Sequence, residues 1–209
     1  MLEYNFESKA HAKGFATVCG IDEAGRGPLC GPVVAAACIL PQGLVIEKLN
    51  DSKKLSPKRR DELFDIIKKE ALSFSVASAT VAEIDELNIL EATLLAMRRT
   101  VEGLSLQPDY LLVDGNVYRG FGIPGKSVVS GDALSPSIAA ASILAKVTRD
   151  RICLELDREY PGYGIAKNKG YGTKDHIEAL FRLGPSPCHR KKFIRFLNEN
   201  RSDANEVQR

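Results

Sequence analysis

The chain has no tryptophan, two methionines and three histidines among its 209 residues. It contains no HExxH, no CxxC pair, no GxxxxGK[ST], no GxGxxG after an apolar run and no recognisable nucleophile elbow. Those absences exclude zinc-protease, zinc-knuckle, P-loop, dinucleotide-binding and serine-hydrolase chemistry of the usual kinds. The cysteines, Cys19, Cys30, Cys38, Cys153 and Cys188, are odd in number, so no disulfide framework is indicated and they read as small buried hydrophobes. No apolar run is long enough to cross a membrane, and the opening "MLEYNFESKAHAKG" lacks the basic-then-apolar order of a secretory signal; a cytoplasmic location is the expectation. His11, His176 and His189 sit among polar or basic neighbours and are expected at the surface.

What is present is ordinary globular material, 44% apolar and 27% charged, enough for one domain or one domain with a small appendage. The net charge of +2 conceals a division. Tyr160 to Arg195 carries eight Lys/Arg against two Asp/Glu, while the remainder is mildly acidic. Apolar runs from Phe15 to Asp22 and from Val33 to Leu40 read as neighbouring strands, joined by a Gly/Pro loop. Ser56-Pro57 and Ser135-Pro136 are cap-plus-proline helix starts. Between them lie a strand over Ser73 to Val81, a helix from Ile89 to about Gly103 and a buried strand over Asp109 to Gly115. A Gly/Lys/Tyr loop, a short helix near Ile177 to Arg182 and a last basic helix from about Arg190 follow. The order predicts an α/β sheet domain with a C-terminal helical addition.

In "GIDEAGRGP", Asp22 and Glu23 stand where a strand leaves its core, and Asp114 stands at the end of another. That edge of an α/β sheet is where ligands bind. Asp132 precedes the helix that opens at Ser135, from where it can return to the same edge. Four acids in one cleft repel unless cations intervene, and carboxylate oxygen favours Mg²⁺ or Mn²⁺. Taken singly, Asp114 is as well read as a turn former and Asp132 as an acid favoured by a helix dipole. Side-chain alternation also sends Asp22 and Glu23 to opposite faces, so whether Glu23 turns inward stays open. Two metals acting on a phosphoryl centre suit nucleic acid, and "YGIAKNKGYGTK" interleaves tyrosine with lysine as phosphate contact and stacking require. A solvated basic loop is the plain alternative there.

"GIDEAGRGPLCGPVVAAACIL", "DSKKLSPKRR", "LLVDG", "GDALSPSIAAASILAKVTRDR" and "YGIAKNKGYGTKDH", in that order, resemble bacterial ribonuclease HII, a type 2 ribonuclease H, over about Phe15 to Phe193. The resemblance implies an RNase H-like mixed sheet flanked by helices. It divides the chain into a catalytic core over 1–160, a basic substrate-binding extension over 161–198 and a frayed tail over 199–209, all in one integrated domain. It implies Mg²⁺- or Mn²⁺-dependent hydrolysis of RNA in RNA–DNA hybrids and 5′ of single ribonucleotides in duplex DNA, leaving 3′-hydroxyl and 5′-phosphate ends. The family's four acids fall on Asp22, Glu23, Asp114 and Asp132, and its 2′-hydroxyl-sensing element on Gly25, Arg26 and Gly27. Lys53 and Lys54 match its phosphate-contacting segment. The tyrosine that packs on the substrate sugar best matches Tyr171, with Tyr163 as the alternative. A monomer is the default, and a replication-clamp contact through the tail has no support in the residues.

Two other classes compete. A nucleic-acid-binding protein with structural acids would bind hybrid regardless of chelator, and a small-molecule phosphotransferase on the same sheet would have no use for an extended basic flank.

Overall fold

The computed structural model describes residues 2–50, 52 and 55–197. Five strands form one mixed sheet: β1 (Val18–Ala24), β2 (Val33–Ile39), β3 (Ser73–Ala79), β4 (Tyr110–Asp114) and β5 (Gly125–Val128), in the order β3-β2-β1-β4-β5. β1 pairs antiparallel with β2 and parallel with β4, so β1 and β4 end at the same edge. This is the α/β architecture expected. β5 carries too short and polar a pattern, Gly-Lys-Ser-Val, to be read as a strand; it gains its place by pairing in parallel with β4.

The helices are α1 (Asn5–His11), α2 (Pro57–Glu70), α3 (Val81–Leu87), α4 (Ile89–Glu102), α5 (Pro136–Glu159), α6 (Ile165–Asn168) and α7 (Lys174–Leu183). Both Ser-Pro starts form as expected: Ser56 accepts from the Arg59 N–H and Ser135 from that of Ile138. β3 stops at Ala79 because Thr80 caps α3, its hydroxyl accepting from the Glu83 N–H while Glu83 reaches back to the Thr80 N–H.

One face of the sheet, with Cys19, Ile21, Ala35, Ala37, Leu111 and Val113, packs with Leu94, Met97 and Val101 of α4. On the other face Ala36 and Cys38 meet Ala140, Ile143 and Leu144 of α5 and Leu63 and Ile67 of α2. Gly20 decides how closely α5 approaches β1. A Cβ there would collide with the Ser137 and Ile138 backbone, so only glycine lets the helix lie directly on the strand. The start of α5 is held by a residue far away in the chain: buried Glu7 of α1 accepts from the Ser135 hydroxyl (2.6 Å) and the Ser137 N–H (3.1 Å).

The C-terminal segment has its own small core, Cys30, Cys153, Tyr163, Ile165, Leu180, Cys188, Ile194 and Leu197. α7 begins three residues before the expected helix, capped by Thr173. The basic helix expected from about Arg190 begins later, at 196, after turns at 191–193 and 195. The Lys191 and Lys192 N–H groups bond the Asp85 carboxylate (3.1 and 3.3 Å), which fixes the chain in a non-helical path. All five cysteines are buried and free.

Candidate active site

At the shared edge of β1 and β4 a cleft of about 240 Å³ opens, lined by Asp22, Glu23, Asp114, the 24–27 loop, Ser52, Ser142, Lys146, Arg149 and Tyr171. Alternation does send Asp22 toward α5 and Glu23 toward the opposite face, but the cleft opens at the strand's end, so both side chains line it. Asp22 is 4% exposed. Its Oδ1 accepts from the Glu23 N–H (2.7 Å), and Ser142, whose hydroxyl is 2.8 Å from that of Ser52, lines the same cleft.

Asp114 joins this group from β4, and its Oδ1 accepts from the Gly131 N–H at 2.6 Å. That bond draws the 3-10 turn Gly131–Ala133, with buried Asp132, against the end of β4. Asp132 is not among the residues that line the cleft itself. Burial, then the charges of Glu23 and Asp114, push the Asp22 carboxyl well above the ordinary range, against the opposing hydrogen bonds.

Two of the cleft's cations are paired with acids. Arg26 reaches Glu23 at 3.4 Å, and Lys146 pairs with Asp150 at 2.6 Å. A desolvated carboxylate with like charges beside it and only oxygen donors around it fits a hard divalent cation such as Mg²⁺ or Mn²⁺.

The loop that continues from Glu23 through Gly25, Arg26 and Gly27 lines the same cleft as Tyr171. A Cβ on Gly27 would lie 3.5 Å from the Tyr171 ring, so the glycine and the ring form one surface, and the ring is 49% exposed. Gly25 has φ +99° and lies on the Arg149 side chain, where any Cβ would collide with Nε. Tyr163 is a core residue instead, with its hydroxyl donating to the Gly184 carbonyl at 2.8 Å and its ring centroid 4.8 Å from that of His189. Lys53 and Lys54 lie outside the described residues. Just beyond them, Arg60 donates to the Ser52 (2.9 Å) and Leu55 (2.7 Å) carbonyls, holding both ends of that loop.

His176 and His189 are not at the surface as their neighbours suggested; both are buried. The Ser186 N–H donates to His189 Nδ1 (3.1 Å), His189 Nε2–H to His176 Nε2 (3.0 Å), and His176 Nδ1–H to the Tyr171 carbonyl (2.9 Å). Because Nδ1 of His189 must accept and the Tyr171 oxygen must receive a proton, both rings are neutral and their tautomers are fixed. Burial pushes His176 below its ordinary value. The Cys30 sulfur and one nitrogen of each ring lie within 4.8 Å of one another, but the relay uses every ring nitrogen, and the pair is satisfied without a cation. Arg149 and Arg190 were also missed, since each sits in a charged run that reads as solvated. Both are buried, and among the described residues neither pairs with a carboxylate. One signal was available for His176: Thr173 three residues earlier is a helix cap, which puts the histidine in the first turn of an amphipathic helix.

A mixed sheet in this order gathers carboxylates where β1 and β4 end. The family model described as Ribonuclease HII matches residues 19–196, and the chain belongs to that family. It is 57% identical over 187 residues to the ribonuclease HII of Desulfitobacterium hafniense strain Y51, covering 90% of this chain and 72% of the relative. The crystal structure of ribonuclease H2 from Pyrococcus horikoshii OT3 superposes with a TM-score of 0.73 at 28% identity, over 88% of this chain and 98% of that one. That of Bst-RNase HIII in complex with Mn²⁺ shares the fold, with a TM-score of 0.60 at 17% identity over 84% and 72% of the two chains. The protein is thus a hydrolase, a nuclease of the ribonuclease H class, whose family acts on the RNA strand of RNA–DNA hybrids. Among the described residues no helix is long and apolar enough to cross a membrane.

Proposed function

We propose that the protein is a cytoplasmic, monomeric endonuclease that cuts the RNA strand of hybrids and the 5′ side of single ribonucleotides in duplex DNA. The products carry 3′-hydroxyl and 5′-phosphate ends. The observation that carries this reading is that one cleft is lined both by the carboxylates Asp22, Glu23 and Asp114 and by Gly25, Arg26, Gly27 and Tyr171. A cleft of about 240 Å³ is smaller than the usual small-ligand site, as befits a groove that grips part of a polymer.

Asp22, Glu23 and Asp114 would hold two divalent ions, Mg²⁺ or Mn²⁺, from the cleft, with Asp132 as the fourth acid from the turn that docks on Asp114 behind the cleft lining. What such ions supply when bound is a lowered pKa for water and Lewis-acid relief of charge on the scissile phosphate. The chain's own residues do the rest. The Glu23 N–H orients Asp22, and the Gly131 N–H orients Asp114. Loop 25–27 presents N–H donors to the ribose 2′-hydroxyl, the group that separates RNA from DNA, and Tyr171 packs on the adjoining sugar. Lys53, Lys54 and the basic extension over 161–198 neutralise flanking phosphates.

The test is a labelled DNA duplex bearing one ribonucleotide, incubated with Mg²⁺, with Mn²⁺ and with EDTA. Metal-dependent cleavage on the 5′ side, with a ligatable 3′-hydroxyl, is the expected result. Cutting that survives EDTA, or cleavage of an all-DNA duplex at equal rate, refutes it.

A further inference from the structure

Arg190 is fully buried, and each of its five N–H groups ends on a main-chain carbonyl. Nε donates to Gly31 (2.9 Å), Nη1 to Arg26 (2.9 Å) and Pro28 (2.8 Å), and Nη2 to Gly25 (2.6 Å) and Pro32 (3.2 Å). Three of these oxygens belong to residues 25–28, so one rigid planar cation holds the loop from behind.

The consequence follows from peptide geometry. In a trans peptide the C=O and the next residue's N–H point to opposite sides, and no cis bond occurs among the described residues. Turning the Gly25 and Arg26 carbonyls onto Arg190 therefore turns the Arg26 and Gly27 N–H groups away from it. The loop lines the cleft and Arg190 does not. Neither N–H has a protein acceptor among the described residues, whereas the Leu29 N–H, after Pro28, is used by the Gly170 carbonyl at 2.7 Å. Two donors are left without a protein acceptor on a loop that lines the cleft.

Charge works in the same direction. Arg149 lies beneath Gly25 and donates from Nη1 to the Lys169 carbonyl (2.9 Å) and from Nη2 to the Cys30 carbonyl (3.3 Å), while its buried Nε has no hydrogen-bond partner among the described residues. Two buried guanidinium ions, neither in a salt bridge among the described residues, thus stand beside a loop that must meet a polyanion. Desolvation and Arg149 bring the Arg190 pKa down to about 10, which leaves it charged at neutral pH.

We propose that Arg190 is the positioning residue for ribose recognition: without touching the substrate, it fixes the direction of the 25–28 peptides so that the Arg26 and Gly27 N–H groups face the 2′-hydroxyl. This rests on the ribonuclease reading of the cleft. Lysine cannot substitute, because three donors on one nitrogen cannot span five separated carbonyls.

The experiment compares wild type with Arg190→Lys and Arg190→Gln. Affinity is measured without divalent metal for a duplex containing one ribonucleotide and for the all-DNA duplex of the same sequence, alongside thermal unfolding. Loss of about tenfold or more of the ribose preference in R190K, beyond any change in affinity for plain DNA, is expected. An unchanged preference, with only a lowered melting temperature, overturns the proposal and leaves Arg190 a structural residue. Should neither variant fold, amide hydrogen exchange on the wild type decides. Protection of the Arg26 and Gly27 amides by the ribonucleotide duplex but not by the all-DNA duplex supports the proposal, and equal protection overturns it. If wild-type protein cleaves neither hybrid nor single-ribonucleotide duplex in Mg²⁺ or Mn²⁺, the ribonuclease reading fails first and takes the inference with it.

Discussion

Nε2 of His176 and Nε2 of His189 stand 3.0 Å apart with one proton between them. Protonating His176 would place N–H against N–H and break the link that ends on the Tyr171 carbonyl. The groups facing the pair are Tyr163, Cys30 and Cys188, none of them a carboxylate that could compensate. The folded-state pKa of His176 is depressed below 6.5, so the unfolded chain takes up its proton first as pH falls. Stability is complete above about pH 6.5 and declines as pH drops through the lower folded value. Urea unfolding between pH 8 and pH 5 should show this slope, and His176→Asn should flatten it.

Asp22→Asn removes one of the carboxylates that crowd the cleft. Cleavage of hybrid should fall by about 10³-fold or more, since several kcal/mol of charge stabilisation at the phosphate depends on it. The melting temperature should hold or rise, because the repulsion from Glu23 and Asp114 is relieved. Near-normal turnover at saturating Mg²⁺ would refute the assignment.

The two tyrosines should separate cleanly. Tyr171→Ala removes an exposed ring and should raise KM about tenfold, a stacking loss of about 1–3 kcal/mol, with little change in melting temperature. Tyr163→Phe strands the Gly184 carbonyl and should cost about 1 kcal/mol of stability while KM stays put.

Gly20→Ala places a methyl group where the α5 backbone lies. Overpacking of this kind costs about 1–3 kcal/mol, and because α5 carries Ser142 and Lys146 into the cleft, activity should drop with stability. Chemical denaturation and a hybrid-cleavage assay on the same preparation check both.

Glu83 accepts from the Arg99 guanidinium at 2.6 and 3.1 Å and closes the cap of α3, and these bonds, with Arg99 first, lower its pKa to about 2. The stabilisation is present above about pH 4.5 and lost as pH falls toward 2. Glu83→Gln should cost about 1 kcal/mol at pH 7 and nothing at pH 2, read from melting curves.

Local chemistry is what could be read from the letters alone. Ser56-Pro57 and Ser135-Pro136 start helices because a cap and its proline are neighbours in sequence, and Asp22, Glu23 and Asp114 stand out because apolar strands end on them. Glu7, His189 and Arg190 were illegible for the converse reason. Glu7 finds its partner 128 residues away, and Arg190 finds its partners 158 to 165 residues away. Nothing about a basic run such as "HRKK" distinguishes the arginine that is buried from the lysines beside it. β5 and α1 escaped because each is short, and each depends on a neighbour to hold it.

The span from Gly25 to Arg190 has a consequence during synthesis. A nascent chain releases its glycine-arginine loop 165 residues ahead of the guanidinium that fixes it. Over that interval the loop has no such fastening, and the β1–β2 hairpin on which it sits must wait for residue 190 before its final shape is set.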